Sequence, residues 1–145
     1  MEDAKAGETV KFLLDTNVVS EIRKTKPHGG VMAWFTTHHS IGMAIPAVVL
    51  FEIQMGAERL RQKDPLRATK FDWWAGQIAG SGNVLPLDAA AAREAARLLN
   101  NLPMVMMADA MIAAIAHVHG LTIATRNIKH FEKFGVPLVN PFEHR

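Results

Sequence analysis

Residues 12–17, FLLDTN, decide the fold of this chain, because they join a short apolar run to a cluster of polar side chains. The run at residues 11–14 predicts a buried strand, and Asp15, Thr16 and Asn17 follow it directly. A carboxylate at the edge of apolar surface costs free energy unless it is paired, hydrogen-bonded or bound to a metal. The stretch therefore predicts a first strand that ends at an acid in need of a partner.

Further apolar runs rich in β-branched residues alternate with longer segments of helical periodicity. This alternation is typical of an α/β fold, in which a parallel sheet of four to five strands carries helices on both faces. The predicted strands are residues 11–14, 41–45, 84–87, 121–125 and 137–139.

Three residues mark ends of predicted helices. Pro46 fits a first helical position, Asp88 fits an N-cap, and Gly120 fits a left-handed helix end. The predicted helices are residues 18–23, 31–37, 46–62, 65–80, 89–99 and 105–119.

The composition bounds the class of protein. A chain of 145 residues that is 49% hydrophobic can bury one substantial core, so we expect a polar tail over residues 1–10 and one domain over 11–145. The net charge of +2 permits contact with nucleic acid without demonstrating it. The chain has no cysteine, which excludes disulfides and thiolate metal sites and favours a cytoplasmic location. We expect no membrane segment and no secretory signal.

Three acids lie at the edges of the predicted core. Asp15 follows FLL, Glu52 follows AVVLF and Asp109 follows MVMMA. By the predicted topology all three can reach the crevice at the carboxyl ends of the parallel strands, where such sheets bind ligands. Oxygen ligands without cysteine or paired histidine favour Mg²⁺ or Mn²⁺. Such a site suits hydrolysis of a phosphodiester.

Each acid also has a structural interpretation. Asp15 and Asp109 could cap helices, and Glu52 could pair with Arg59. The neighbouring polar residues favour a site, because Asn17 can hydrogen-bond a carboxylate and Thr16 can touch metal-bound water. After the fourth strand the arrangement is repeated by Thr125, Arg126 and Asn127.

Three stretches together resemble the PIN-domain ribonucleases of VapC type. They are FLLDTNVVSEI, IPAVVLFEIQMGAERL and MADAMIAAIAHVHGLTIATRNIKHFEKFGVPLVNPF. Their order and spacing cover nearly the whole chain from Lys11.

The resemblance implies a PIN-like α/β fold and an Mg²⁺- or Mn²⁺-dependent endoribonuclease that is the toxin of a type II toxin–antitoxin pair. It implies a homodimer, an RNA substrate, a cognate VapB-type antitoxin, and operator DNA bound only through that antitoxin. The family's catalytic positions match Asp15, Glu52, Asp109 and Asn127. Its polar positions around the metal match Thr16, Asn17 and Thr125. Its metal ligands match Asp15 and Asp109.

The fourth acid of the family leaves an alternative open. Relatives often carry an Asp at the position of Asn127 or of His130, and this sequence has neither. Either residue could replace that acid. With about three negative charges, the site should suit one divalent ion better than two.

Two further features bear on packing and partners. Met104, Met106, Met107 and Met111 predict adaptable core packing. The pair Trp73 and Trp74 faces two sides of one helix, so one ring should be exposed unless a partner covers it. We therefore expect a dimer in isolation.

Two other functions remain to be compared. A phosphatase of the haloacid-dehalogenase kind also sets an Asp after its first strand, but it expects a second Asp where this chain has Asn17. The second is a catalytically weak or inactive PIN module that binds only RNA or antitoxin. Cleavage of RNA during a Mn²⁺ titration would discriminate it from a nuclease.

Overall fold

The structure is a computed structural model and describes residues 10–145. The predicted polar tail therefore lies, except for Val10, outside the described residues. The strands are β1 (Phe12–Leu14), β2 (Met43–Pro46), β3 (Val84–Leu85), β4 (Thr122–Ala124) and β5 (Leu138–Val139). The helices are α1 (Thr16–Ile22), α2 (Gly29–His38), α3 (Ala47–Leu60), α4 (Pro65–Ala79), α5 (Ala89–Leu99), α6 (Met107–His119) and α7 (Ile128–Phe131).

The five strands form one parallel sheet in the order β3-β2-β1-β4-β5. In the centre, β1 is paired with both neighbours, with Leu13 opposite Ala44 on one side and Ile123 on the other. The chain builds outward from β1 through β2 to β3, then crosses back to β4 on the other side. With right-handed crossovers, this reversal of direction places helices on both faces of the sheet. The predicted fold class is confirmed.

The reversal also creates a crevice. The chain continues from β1 to β2 on one side of the sheet and from β4 to β5 on the other. The carboxyl ends of β1 and β4 therefore flank the topological switch point, where open α/β sheets bind ligands. The residues that follow these two ends are Asp15 and Thr125. Both are buried, although they are polar.

All five predicted strands are present, each shorter than predicted. The boundary at Pro46 was wrong: Pro46 is the last residue of β2 and the extended N-cap of α3, not its first helical residue. A 3₁₀ turn over Met104–Met106 precedes α6, so that helix begins two residues later than predicted. The first helix begins two residues earlier than predicted, directly after Asp15.

Local sequence signals explain several helix ends. The Asp88 carboxylate accepts from the Ala91 N–H at 2.9 Å and caps α5. Gly120 ends α6 in the left-handed conformation, at φ 67°. No helix within residues 10–145 has the length and hydropathy needed to cross a membrane.

Candidate metal site at the switch point

Asp15 is the most constrained acid of the site. Its side chain is almost fully buried, with 6% of the residue exposed. One carboxylate oxygen accepts from the Thr16 N–H at 2.8 Å, and the other accepts from the Thr125 hydroxyl at 2.8 Å and the Asn17 amide at 3.3 Å. Burial raises the pKa of Asp15, and these donors offset part of that rise. The Asp15 carboxylate is therefore held in place by hydrogen bonds, but its negative charge is unfavourable in the metal-free protein.

Thr125 and Asn17 join the ends of β1 and β4. The fully buried Thr125 hydroxyl donates to Asp15 and accepts from the Asn127 N–H at 2.9 Å. The Asn17 side-chain oxygen accepts from the Arg126 N–H at 3.0 Å. One network of hydrogen bonds thus fixes both strand ends around the same carboxylate.

Glu52 approaches the site from α3. It lies in the second turn of that helix, and its carboxylate accepts from the Thr16 hydroxyl at 2.6 Å. A bond of this length to an ionised acceptor is a strong one. The contact runs across the crevice to the residue after Asp15, rather than along the helix to Arg59.

Asp109 approaches from the first turn of α6. Its side chain is 27% exposed, and its nearest charged partner is His130, at 3.8 Å between Oδ2 and Nδ1. Partial burial raises the pKa of Asp109, and the negative charges of Asp15 and Glu52 raise it further. Asp15 acts on it more strongly than Glu52 does. The negative charges of Asp15 and Glu52 are therefore near enough to Asp109 to act on its carboxylate, and a bound cation would relieve that repulsion.

The arrangement fits a hydrated divalent ion held by few protein ligands. Within residues 10–145, no three His, Asp or Glu side chains come close enough together to hold an ion. Asp15 and Asp109 supply two carboxylates, while Glu52 is engaged by Thr16. Mg²⁺ keeps several waters and usually binds through one or two carboxylates plus substrate phosphates. The all-oxygen donor set also matches this class of ion.

Comparison with known proteins identifies the family. The family model of the PIN domain matches residues 12–136. The chain is 33% identical over 139 residues to VapC ribonuclease Y4jK from Sinorhizobium fredii, covering 91% of this chain and 98% of the relative.

This chain belongs to the PIN-domain family, of VapC type.

Two solved structures have the same fold. The crystal structure of FitAcB from Neisseria gonorrhoeae superposes with a TM-score of 0.71 at 28% identity, covering 91% of this chain and 99% of that one. DNA-bound VapBC from Salmonella typhimurium gives 0.70 at 25% identity, covering 91% and 98%. The PIN assignment removes the support for the phosphatase alternative.

Within this PIN domain the predicted site residues are brought together with one exception. The side chains that converge are Asp15, Thr16, Asn17, Glu52, Asp109 and Thr125. Asn127 contributes its backbone N–H to Thr125, but its side chain is exposed and does not cap the following helix. A catalytic role for the Asn127 amide remains a prediction.

Sequence reasoning missed Lys133. This residue lies in the 3₁₀ turn over Glu132–Phe134 that continues α7, and its positive charge lowers the pKa of Asp109. Its spacing of three residues from His130 was the available signal, because residues three apart share a helical face.

The methionine interpretation was only half right. Met106 and Met111 pack against the core, but Met104 and Met107 are exposed, together with Val105. The tryptophan prediction is confirmed: Trp74 is buried and Trp73 is 67% exposed.

Proposed function

We propose that this PIN domain, over residues 11–145, is a metal-dependent endoribonuclease and the toxin of a type II toxin–antitoxin pair. The observation that carries the proposal is the convergence of three acids at the switch point. Asp15 is buried at the end of β1, Glu52 accepts from the adjacent Thr16 hydroxyl, and the negative charge of Asp15 raises the pKa of Asp109. Family membership supports the reaction class, since one relative is named a VapC ribonuclease.

Each residue has a role that follows from its contacts. Asp15 and Asp109 would hold the ion, Mg²⁺ or Mn²⁺, and Glu52 would orient the attacking water or accept a proton from it. When bound, such an ion lowers the pKa of water and stabilises the charge on the leaving oxygen. Thr125 and Asn17 hold Asp15 in position by donating hydrogen bonds to it, and these bonds offset part of the rise in its pKa. Thr16 positions Glu52.

The number of ions follows from the ligand set. Two carboxylates, together with a glutamate that is hydrogen-bonded to Thr16, balance the charge of one divalent ion better than the charge of two ions. A second ion would also be repelled by the first. The phosphate of RNA then supplies further oxygen ligands. We therefore propose a one-ion site that binds metal weakly without substrate.

We propose a VapB-type antitoxin as the protein partner, with operator DNA bound only through it, and a homodimer as the state of the free toxin. The solved structure of a VapBC assembly on DNA supports this arrangement. Exposed apolar side chains such as Phe51 and Val105 supply surface for such contacts. We propose a cytoplasmic location, in line with the absence of cysteine.

The test is cleavage of structured RNA in a Mn²⁺ titration by wild type and by three variants, Asp15→Asn, Glu52→Gln and Asp109→Asn. We expect each variant to lose about 100-fold or more of the rate, corresponding to the loss of a metal ligand or a proton acceptor. The exposed acid Glu132 offers a matched control, and Glu132→Gln should cut at the wild-type rate.

Two results would contradict the proposal. If wild type binds RNA but leaves it intact at every Mn²⁺ concentration, the chain is a binding module. If any of the three acid variants cuts at the wild-type rate, that residue does not belong to the site.

A further inference from the structure

A short face of basic side chains borders the acids, and the proposed reaction does not use it. It consists of His130, on α7, and Lys133, in the 3₁₀ turn that continues that helix. The His130 Nδ1 lies 3.8 Å from the Asp109 carboxylate, and the Lys133 Nζ contacts Met106, the residue before the helix that carries Asp109. Their spacing of three residues puts them on one side of the helical segment.

The His130 ring is positioned but not engaged. Its Nδ1 lies 3.8 Å from the Asp109 carboxylate, which is too far for a hydrogen bond. The side chain is 61% exposed. A ring nitrogen is therefore able to donate to a ligand at the mouth of the site.

The Lys133 ammonium is held near the same mouth by a weak contact. Its Nζ donates to the Met106 sulfur at 3.4 Å. A thioether is a weak acceptor, so the ammonium keeps its capacity to bind an oxyanion. Because Met106 directly precedes α6, which carries Asp109 in its first turn, the contact brings the Lys133 amine near the end of α6 that carries this acid.

We propose that His130 and Lys133 form an RNA-backbone contact that holds a phosphate beside the scissile one; this inference rests on the proposed ribonuclease function. Three facing acids repel RNA, and a nearby cation that offsets this repulsion favours binding. An ion pair that merely stabilised the fold would bring Lys133 into contact with a carboxylate, whereas its amine lies on a sulfur atom. The pair binds substrate and takes no part in bond cleavage.

The experiment measures binding of a short fluorescent single-stranded RNA by anisotropy in EDTA, across a range of KCl concentrations. Removing divalent ions leaves the protein's own cations as the source of affinity. We expect Lys133→Ala to weaken binding about 3- to 10-fold and to reduce the salt slope by about 0.7, the value for one phosphate contact on a single strand. His130→Ala should weaken binding about 3-fold, as the loss of one hydrogen bond does.

Matched variants separate a specific contact from general charge. Lys133→Arg keeps the charge and should keep the salt slope. Lys70→Ala removes an exposed lysine from α4, a helix that carries none of the three acids, and should leave binding unchanged. With Mn²⁺ present, Lys133→Ala should raise KM and leave kcat near the wild-type value.

The outcomes are distinguishable from those for the nuclease itself. Equal losses of affinity in Lys133→Ala and Lys70→Ala would overturn the backbone contact while leaving the nuclease intact. Wild-type affinity in His130→Ala, or in Lys133→Ala, would do the same. If the wild type never cuts RNA but binds it in EDTA through Lys133, the proposed nuclease function is wrong and the backbone contact stands.

Discussion

At the scale of single residues, Thr125 connects the site more closely than any acid does. Its hydroxyl donates to the buried Asp15 and accepts from the backbone of Asn127 and, at 3.4 Å, from the Asn17 amide. A hydroxyl both donates and accepts, so one side chain can satisfy groups from β1 and from the loop after β4. A hydrophobic residue of the same shape could fill the space without making any of these bonds.

Thr125→Val therefore tests the network. We expect it to lower the free energy of unfolding by about 2 kcal/mol, because a buried carboxylate loses a charge-assisted bond. RNA cleavage should fall as well, since the pKa of Asp15 rises further when the Thr125 donor is lost. The measurements are urea denaturation and the cleavage rate of the folded enzyme.

A second threonine serves as the control for that substitution. Thr37 is exposed, and its hydroxyl donates to the Ala33 carbonyl within α2. Thr37→Val should change the free energy of unfolding by at most about 0.5 kcal/mol. If Thr125→Val were as mild as this control, the network around Asp15 would not stabilise the fold.

The acids could be predicted from the sequence, whereas the cations beside them could not. Asp15, Glu52 and Asp109 each follow an apolar run, and a carboxylate at a core edge requires an explanation. Lys133 has no such context, because exposed lysines on short helices are common. Only the packing of the 3₁₀ turn against Met106 places it near the site.

At the scale of elements, the sequence predicts which helices and strands exist better than it predicts the residues at which they begin and end. Periodicity and caps gave every strand, and Asp88 and Gly120 gave the ends of two helices. Pro46 was misplaced because a proline suits both an extended N-cap and a first helical position, and only the sheet pairing with Leu85 shows that β2 includes it.

Asp88→Ala is a test at this scale, separating stability from chemistry. Losing the cap of α5 should cost about 1 kcal/mol of unfolding free energy. The cleavage rate per folded molecule should stay unchanged, because the Asp88 carboxylate accepts from the Ala91 N–H of α5 and not from a residue of the site. Asp88→Asn keeps an acceptor oxygen and should recover most of the loss in urea denaturation. A fall in cleavage as large as that of Asp15→Asn would show that α5 positions the site.

At the scale of the whole molecule, the outward growth of the sheet from β1 explains why distant segments meet. Asp15 and Thr125 are 110 residues apart and form a bond of 2.8 Å, because β1 and β4 are neighbours in the sheet. The order of strands cannot be deduced from periodicity alone, so contact between these two residues could be expected only by assuming a sheet topology. The exposure of Met104 and Val105 was missed for the same reason: apolar character alone does not say which side chains the final packing covers.

The stability of the whole molecule should depend on pH through the same acids. The pKa values of Asp15 and Asp109 are raised in the folded state, so the folded protein binds more protons than the unfolded chain between the usual aspartate pKa of 3.8 and the folded pKa values. Metal-free protein should therefore gain stability as pH falls from neutrality through the folded pKa values, and lose it as pH rises. The lowered pKa values of the exposed Glu58 and Asp72 act in the opposite direction, at lower pH.

Mn²⁺ should reverse this trend, and Asp109→Asn isolates its source. The ion binds the ionised carboxylates, so the rise in melting temperature on adding Mn²⁺ should grow from pH 5 to pH 8. Asp109→Asn removes one of the mutually repelling charges and should raise the metal-free melting temperature at pH 8 by about 1–2 °C while removing most of the response to Mn²⁺. Asp15→Asn should not stabilise in the same way, because its new amide would face the donors of Thr125 and Asn17. Thermal unfolding of the three proteins with EDTA or Mn²⁺ measures these shifts, and a Mn²⁺ response of wild-type size in Asp109→Asn would mean that Asp109 does not hold the ion.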